Sequence, residues 1–279
     1  MRYGNCISHK EHDKIKILKD IGFDYVETGL SGLYVSSDQE IADFIGVLKA
    51  NNMTCEAVNV FFPGELSLAG ENADLARVRD YVNEVCEKTK NIGIKVAVFG
   101  SGRSRYCPDG FDKQRAVEQI IEVTGGILAP AAEKYNFIIA VEELNKSETN
   151  TINSISEAEY IAAELNHKNI KVLADIYHIA KENDTLESLK DYSLLAHCHI
   201  SSVSRKYPLP EIESFDALSD FFDTLKKIGY NERMSIEAGL GGYEAAENSA
   251  GIPDWVSEAD RAFYAESSLA LKYMKRLYG

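Results

Sequence analysis

The sequence predicts an α/β protein folded as one (β/α)8 barrel spanning residues 1–279. Three observations predict it. Short apolar runs alternate with amphipathic stretches from end to end, with no linker, low-complexity tract or composition break between them. The length of 279 residues is close to the roughly 250 typical of such a barrel. The first strand-like run leads into Ser8-His9-Lys10-Glu11, not into the glycine-rich turn that a doubly wound nucleotide-binding sheet requires.

The strand-like runs are Tyr3 to Ile7, Tyr25 to Thr28, Cys55 to Phe61, Lys95 to Gly100, Ile138 to Glu142, Val172 to Asp175, Leu195 to His199 and Met234 to Glu237. Helical stripes separate them. Ile15, Leu18 and Ile21 share a face, as do Ile41, Phe44, Ile45 and Leu48, and then Leu75, Val78, Val82 and Val85. The pattern returns at Phe215, Leu218, Phe221, Phe222 and Leu225, and at Ala262, Ala265, Leu269 and Leu277. Packing onto the barrel accounts for each stripe. Ile21-Gly22-Phe23, Ile92-Gly93-Ile94 and Ile228-Gly229-Tyr230 repeat one helix-to-strand turn, in which glycine takes a left-handed conformation and an apolar residue re-enters the core. Ser156-x-x-Glu159 reads as a capping box that starts a helix after the fifth strand.

The last four runs each end on a potential metal ligand: Glu142, Asp175, His199 and Glu237. The gaps between these residues are 33, 24 and 38, each about one strand-helix unit. In a parallel barrel, successive strand C-termini converge on one mouth. Three carboxylates and one imidazole suit Mn2+, Mg2+ or Co2+ better than a structural zinc. Four protein ligands leave part of an octahedron for adjacent oxygens of a polyol. A cation holding a carbonyl and hydroxyl acidifies the neighbouring C–H by stabilising the enediolate. Glu142 and Glu237 come from strands 5 and 8, so they are placed to flank a bound sugar as an acid and base pair.

Weaker candidates surround this set. Glu27 ends the second strand and either faces the pocket or bonds a neighbouring loop. Gly100-Ser101-Gly102-Arg103 with Arg105 reads as a phosphate cradle or a tight turn with surface arginines. Phe61-Phe62 reads as an apolar wall or as core. His9, His12 and His167 are expected in loops or on surface helices, and Trp255 in local packing before the last helix.

A formal net charge of −14 argues against a phosphate-backbone partner, which needs a basic stripe, and against an anionic membrane surface. No apolar run reaches the ~18 residues of a membrane span. Five cysteines, Cys6, Cys55, Cys86, Cys107 and Cys198, form no CxxC, which fits free thiols and a cytoplasmic location.

Val141-Glu142-Glu143-Leu144-Asn145-Lys146 with Glu148-Thr149-Asn150 resembles the VEPLNR…E segment of the xylose-isomerase-like sugar epimerases and isomerases, the group containing the D-tagatose and D-psicose 3-epimerases. Ala174-Asp175-Ile176-Tyr177-His178 resembles the DTFH segment of that family. His197-Cys198-His199 with Arg205 resembles its HxH…R segment, and Ser235-Ile236-Glu237 its xIE strand. Val98-Phe99-Gly100-Ser101-Gly102 is also similar to a segment common there. The motifs run from Phe99 to Glu237, about half the chain.

The resemblance implies that Glu142 and Glu237 bind the metal and move protons, and that Asp175 and His199 bind the metal only. It implies that Glu148, His178 and Arg205 hold substrate oxygens, and that the enzyme is a homo-oligomer. His197 lies on the same side of its strand as His199 but further from the mouth. The chain departs from the pattern at Glu143 (proline), Lys146 (arginine) and Tyr177 (phenylalanine). Lys206-Tyr207-Pro208-Leu209-Pro210 stands where the family has a glycine-rich stretch.

These readings converge on a metal-dependent isomerase or epimerase of a ketose or related small sugar, free or phosphorylated. A keto-polyol dehydratase would begin with the same proton abstraction. A non-catalytic sugar-binding barrel would be favoured by loss of a ligand, and none is lost. A nuclease on this fold would need more than six histidines and a basic groove.

Overall fold

The computed structural model describes residues 1–210, 216–242 and 251–279. Its strands are β1 (Arg2–Cys6), β2 (Tyr25–Gly29), β3 (Thr54–Asn59), β4 (Val96–Phe99), β5 (Ile138–Glu142), β6 (Ile170–Asp175), β7 (Leu195–Ile200) and β8 (Arg233–Ile236). Each pairs in parallel with the next, and β1 pairs with β8, which closes the barrel. Every expected run holds a strand, with ends shifted by one or two residues. Glu237 lies one residue past β8, but its N–H still bonds Ile200 O at 3.1 Å.

The helices are α1 (His12–Ile21), α2 (Leu30–Val35), α3 (Asp38–Ala50), α4 (Leu75–Thr89), α5 (Lys113–Val123), α6 (Ala129–Tyr135), α7 (Ile155–Leu165), α8 (Ile176–Glu182), α9 (Asp216–Lys227) and α10 (Arg261–Tyr278). The expected faces are the buried ones: Ile15 and Leu18 on α1, Phe44 and Leu48 on α3, Val78, Val82 and Val85 on α4, and Phe221, Phe222 and Leu225 on α9. Leu75 is an exception, exposed at the start of α4, and on α10 Ala265 is buried while Ala262, Leu269 and Leu277 are only partly so. Phe215 lies outside the described residues. Gly22, Gly93 and Gly229 all have positive φ, as the repeated turn requires.

One cap sits elsewhere than expected. Ser154, not Ser156, starts α7, its side chain accepting from Glu157 N. Placing the cap there buries Ile155 completely, while Glu159 accepts instead from Lys190 N and Asp191 N. A full capping box does occur at Ser37 and Glu40, ahead of α3.

Two apolar layers hold the barrel. The larger lies between strands and helices, and the smaller, of Tyr25, Ala57, Val96, Val98, Ala140 and Leu173, fills the interior. Gly4 makes room for Tyr25, since a Cβ there would meet the ring at 2.3 Å. Tyr25 OH shares a 3.0 Å hydrogen bond with Ser235 Oγ across the lumen. The lumen is therefore plugged below, and the C-terminal mouth is its polar end.

Candidate metal and active site

Glu142 and Asp175 are the last residues of β5 and β6, His199 is the penultimate residue of β7, and Glu237 follows β8. The structure brings all four together, with one ligand atom from each within 4.8 Å of every other. His199 Nδ1 lies 2.8 Å from Glu237 Oε2, 3.1 Å from Glu142 Oε1 and 3.7 Å from Asp175 Oδ2. Asp175 and His199 are fully buried, and only Glu237 is appreciably open to the mouth.

Glu27 fixes how His199 presents itself. This carboxylate is fully buried and accepts from His199 Nε2 and His197 Nε2, each at 2.9 Å. With Nε2–H engaged, the ring turns its Nδ1 lone pair toward three carboxylates, an arrangement only a proton or a cation makes favourable. Burial alone would push His199 down, but Glu237 and Glu27 outweigh it and hold the imidazole well above its usual value. Burial would raise Glu27, yet the two histidines hold it far below the ordinary carboxylate range.

Arg205 supplies the other positive charge. One guanidinium N–H donates to Asp175 Oδ2 at 2.6 Å and another to Glu237 Oε2. Its guanidinium lies 4.7 Å from the centroid of the Tyr177 ring. Carboxylates still outnumber cations here. Burial and the neighbouring Glu237 raise Glu142, despite His199, whereas His199 and Arg205 overcome burial to lower Glu237. The donor set fits a divalent ion: hard oxygens, one correctly oriented imidazole, and uncompensated negative charge.

The description "xylose isomerase-like TIM barrel" belongs to the family model that matches residues 15–258. The chain belongs to this family. It is 25% identical over 238 residues to the D-psicose 3-epimerase of Ruminiclostridium cellulolyticum, covering 80% of this chain and 76% of that one. It is 27% identical over 245 residues to the 3-dehydro-D-guloside 4-epimerase of Escherichia coli, covering 84% and 89%. The crystal structure of D-psicose 3-epimerase with D-tagatose from Clostridium cellulolyticum superposes with a TM-score of 0.79 at 20% identity, over 100% of this chain and 99% of that chain. That last likeness is one of fold.

Around this cluster, the remaining expected residues divide. His178 is buried, takes hydrogen bonds on Nδ1 from the Asn145 backbone and side chain, and leaves Nε2 without a partner 3.7 Å from Asp175 Oδ2. Glu148 is nearly half exposed and accepts from Asn145 Nδ2 at 3.1 Å, so Asn145 links it to His178. Neither residue touches the four-residue cluster within hydrogen-bond distance, unlike Arg205. His197 bonds Glu27 and lies below the cluster.

Sequence reasoning left Glu27 undecided and missed two supports. Arg105 is no surface or phosphate-cradling arginine but is wholly buried. Its guanidinium donates to Phe99 O at 3.1 Å and Glu142 O at 2.7 Å, and burial lowers it to about 10. Glu143, in place of the family's proline, is buried and accepts from Asp175 N at 2.8 Å, with burial raising its carboxyl well above normal. His9 lies in the loop after β1, as expected, but is buried there against Phe44 and bonds Ser36 at 2.7 Å. Phe61 and Phe62 belong to the core, where Phe62 meets Tyr81 and Phe99. Trp255 is 43% exposed beneath Lys16.

Among the described residues no helix is long and apolar enough to cross a membrane, and all five cysteines are free.

Proposed function

We propose that this protein is a divalent-metal-dependent epimerase or isomerase of a ketose or related keto sugar. The observation that carries the reading is the convergence of Glu142, Asp175, His199 and Glu237 beneath Arg205. The relatives support it chemically. A D-psicose 3-epimerase and a 3-dehydro-D-guloside 4-epimerase each invert a carbon next to a carbonyl. That inversion requires the same two events, removal of an acidified proton and its return from the opposite face.

Glu142, Asp175, His199 and Glu237 would hold Mn2+, Mg2+ or Co2+, which when bound lowers the energy of the negative charge left on the sugar oxygens by proton removal. The chain's own residues do the rest. Of Glu142 and Glu237, the ionised carboxylate takes the proton from the carbon beside the carbonyl. The other, protonated, delivers its proton to the opposite face, and solvent exchange restores the starting state. Arg205 and the free Nε2–H of His178 orient sugar oxygens between them. Asp175 and His199 transfer no proton in the cycle, because the first is clamped by Arg205 and the second by Glu27.

The test uses protein dialysed against chelator and a panel of ketoses in deuterated water. Activity should vanish and return with Mn2+ or Co2+. Deuterium should enter at C3 for an epimerase, or at C1 or C2 for an aldose-ketose isomerase. Glu237→Gln should cut turnover at least ~100-fold, the scale of a lost general acid or base, while Arg205→Lys should chiefly raise KM. Full activity in the chelated protein, or normal turnover by Glu237→Gln, refutes the reading.

A further inference from the structure

A cleft of about 500 Å3 opens at the barrel mouth on the side of β1, β2 and β3. None of the four cluster residues lines it, but its wall reaches the cluster through Asn59. Asn59, in its wall, donates from Nδ2 to Glu237 Oε1 at 3.2 Å and to Cys6 Sγ at 3.6 Å. Cys6 Sγ itself lies within 4.8 Å of ligand atoms of Glu27 and His199. The far wall is Phe263 and Tyr207, whose rings meet nearly perpendicularly at 6.4 Å. The rim carries Leu240 and Val60, respectively 40% and 48% exposed.

Size and charge both describe the occupant. Even at the ~30 Å3 that a water takes in the liquid, the about twelve heavy atoms of a hexose fill only about 360 Å3. The reacting part of the sugar must also sit outside the cleft, over Glu142 and Asp175. The cleft is thus larger than the remainder of a free ketose. Its cations are spent. Lys14 pairs with Glu11 and lies over Phe263. His9 bonds Ser36, and burial lowers its pKa. Lys206 lies behind Gly239, outside the lining, and its ammonium is held to Leu240 O at 2.8 Å. A phosphate in the cleft would therefore meet the Glu11 carboxylate and, among the lining residues, no unpaired cation to receive it. Apart from Ser8 and Asn59 the remaining wall is largely apolar, and it holds a buried hydroxyl, Thr28 Oγ1, lacking a hydrogen-bond partner.

We propose that this cleft binds the non-reacting half of the substrate, an uncharged glycosyl group, so that the enzyme prefers a keto-glycoside to a free or phosphorylated ketose. The inference rests on the keto-sugar reading above. The binding energy of the second ring is then available to position the reacting carbon between Glu142 and Glu237.

The experiment compares a free ketohexose, its 6-phosphate and a 3-dehydro disaccharide on the Mn2+-loaded protein. The disaccharide should exceed the free ketose in kcat/KM by at least ~100-fold. Gly29→Leu narrows the cleft without backbone strain, since φ there is −69° and an added Cβ meets only Asn59 Oδ1 at 3.8 Å. It should lower the disaccharide-to-ketose ratio at least ~10-fold. It should also weaken binding of the unoxidised disaccharide to metal-free protein by calorimetry. Equal use of ketose and disaccharide, preference for the phosphate, or a ratio untouched by Gly29→Leu overturns the proposal while leaving a keto-sugar enzyme in place. Turnover of none of the three overturns both readings.

Discussion

Replacing Glu27 separates what its charge does from what its hydrogen bonds do. In Glu27→Gln the amide can still satisfy both rings. Its oxygen accepts from His199 Nε2, while its N–H2 donates to His197 Nε2. His197 then carries its proton on Nδ1, which already sits 3.2 Å from Arg233 O. Geometry survives and only the negative charge behind His199 is lost. Mn2+ affinity should fall at the small end of the range for such supporting partners, ~10-fold or about 1.4 kcal/mol. Glu27→Leu removes both acceptors. His199 can then place its proton on Nδ1, the nitrogen facing the ligand carboxylates, and Mn2+ affinity should fall ~100-fold or more. The two buried imidazoles lose partners worth about 1–3 kcal/mol each, so the melting temperature should drop in the leucine variant far more than in the glutamine one. Calorimetric titration of metal-free protein with Mn2+ reads the affinities directly. Wild-type affinity in Glu27→Leu would show that His199 needs no orienting partner, and the ligand set would have to be redrawn.

Two further outcomes test the frame of the site. Gly100→Ala would put a Cβ 2.1 Å from Glu142 Oε2. The carboxylate must swing away, so activity should fall ~10- to 100-fold, as a misplacement of about 1 Å costs, with the fold intact by circular dichroism; unchanged kinetics would mean that Glu142 is not needed where it stands. At the opposite end, Glu56 accepts from Arg2 Nε at 3.1 Å, Arg233 Nε at 2.8 Å and Thr54 Oγ1 at 3.0 Å, tying β1, β3 and β8. Burial works to raise this carboxyl, but those hydrogen bonds outweigh it and leave it below the ordinary value. A lowered carboxylate stabilises the fold above its unfolded-state pKa and ceases to do so as pH falls through the folded-state value. Glu56→Gln should therefore cost about 1.5–3 kcal/mol at neutral pH, and the melting-temperature gap to wild type should close below about pH 4. A gap independent of pH would assign the effect to packing.

The four-residue cluster was legible because each member ends an apolar run, and a parallel barrel converts that position into convergence. The supports were not, and for a physical reason. A carboxylate at a strand end looks the same in sequence whether it meets a substrate or two histidines. Only closure brings Glu27 on β2 against His197, 170 residues later. Arg105 follows a glycine-serine turn, which reads as surface. Its burial depends on Phe99 O and Glu142 O lying side by side across β4 and β5. The misplaced cap on α7 is a local ambiguity. Ser154 and Ser156 each precede a glutamate by three residues, and burial of Ile155 decides between them.

The backbone shows where the fold accepts strain to aim side chains. Among the described residues, eight non-glycine residues have positive φ, and four are asparagines beyond the ends of helices, where that residue adopts the conformation readily. The other four, Val60, Ser101, Ile152 and Arg205, are residue types that resist it, and all lie in loops after strand C-termini. Such a conformation costs of order 1–3 kcal/mol and persists only where surrounding contacts impose it. At Arg205 those contacts are explicit. Its N–H bonds Ser202 O at 3.0 Å, and its carbonyl accepts from Gly239 N at 2.9 Å, pinning the β7 loop to the β8 loop. The side chain so directed spans Asp175 and Glu237, ligand candidates at the end of β6 and just past β8. The strain at this residue is thus joined to a contact that bridges two of the four metal-ligand candidates.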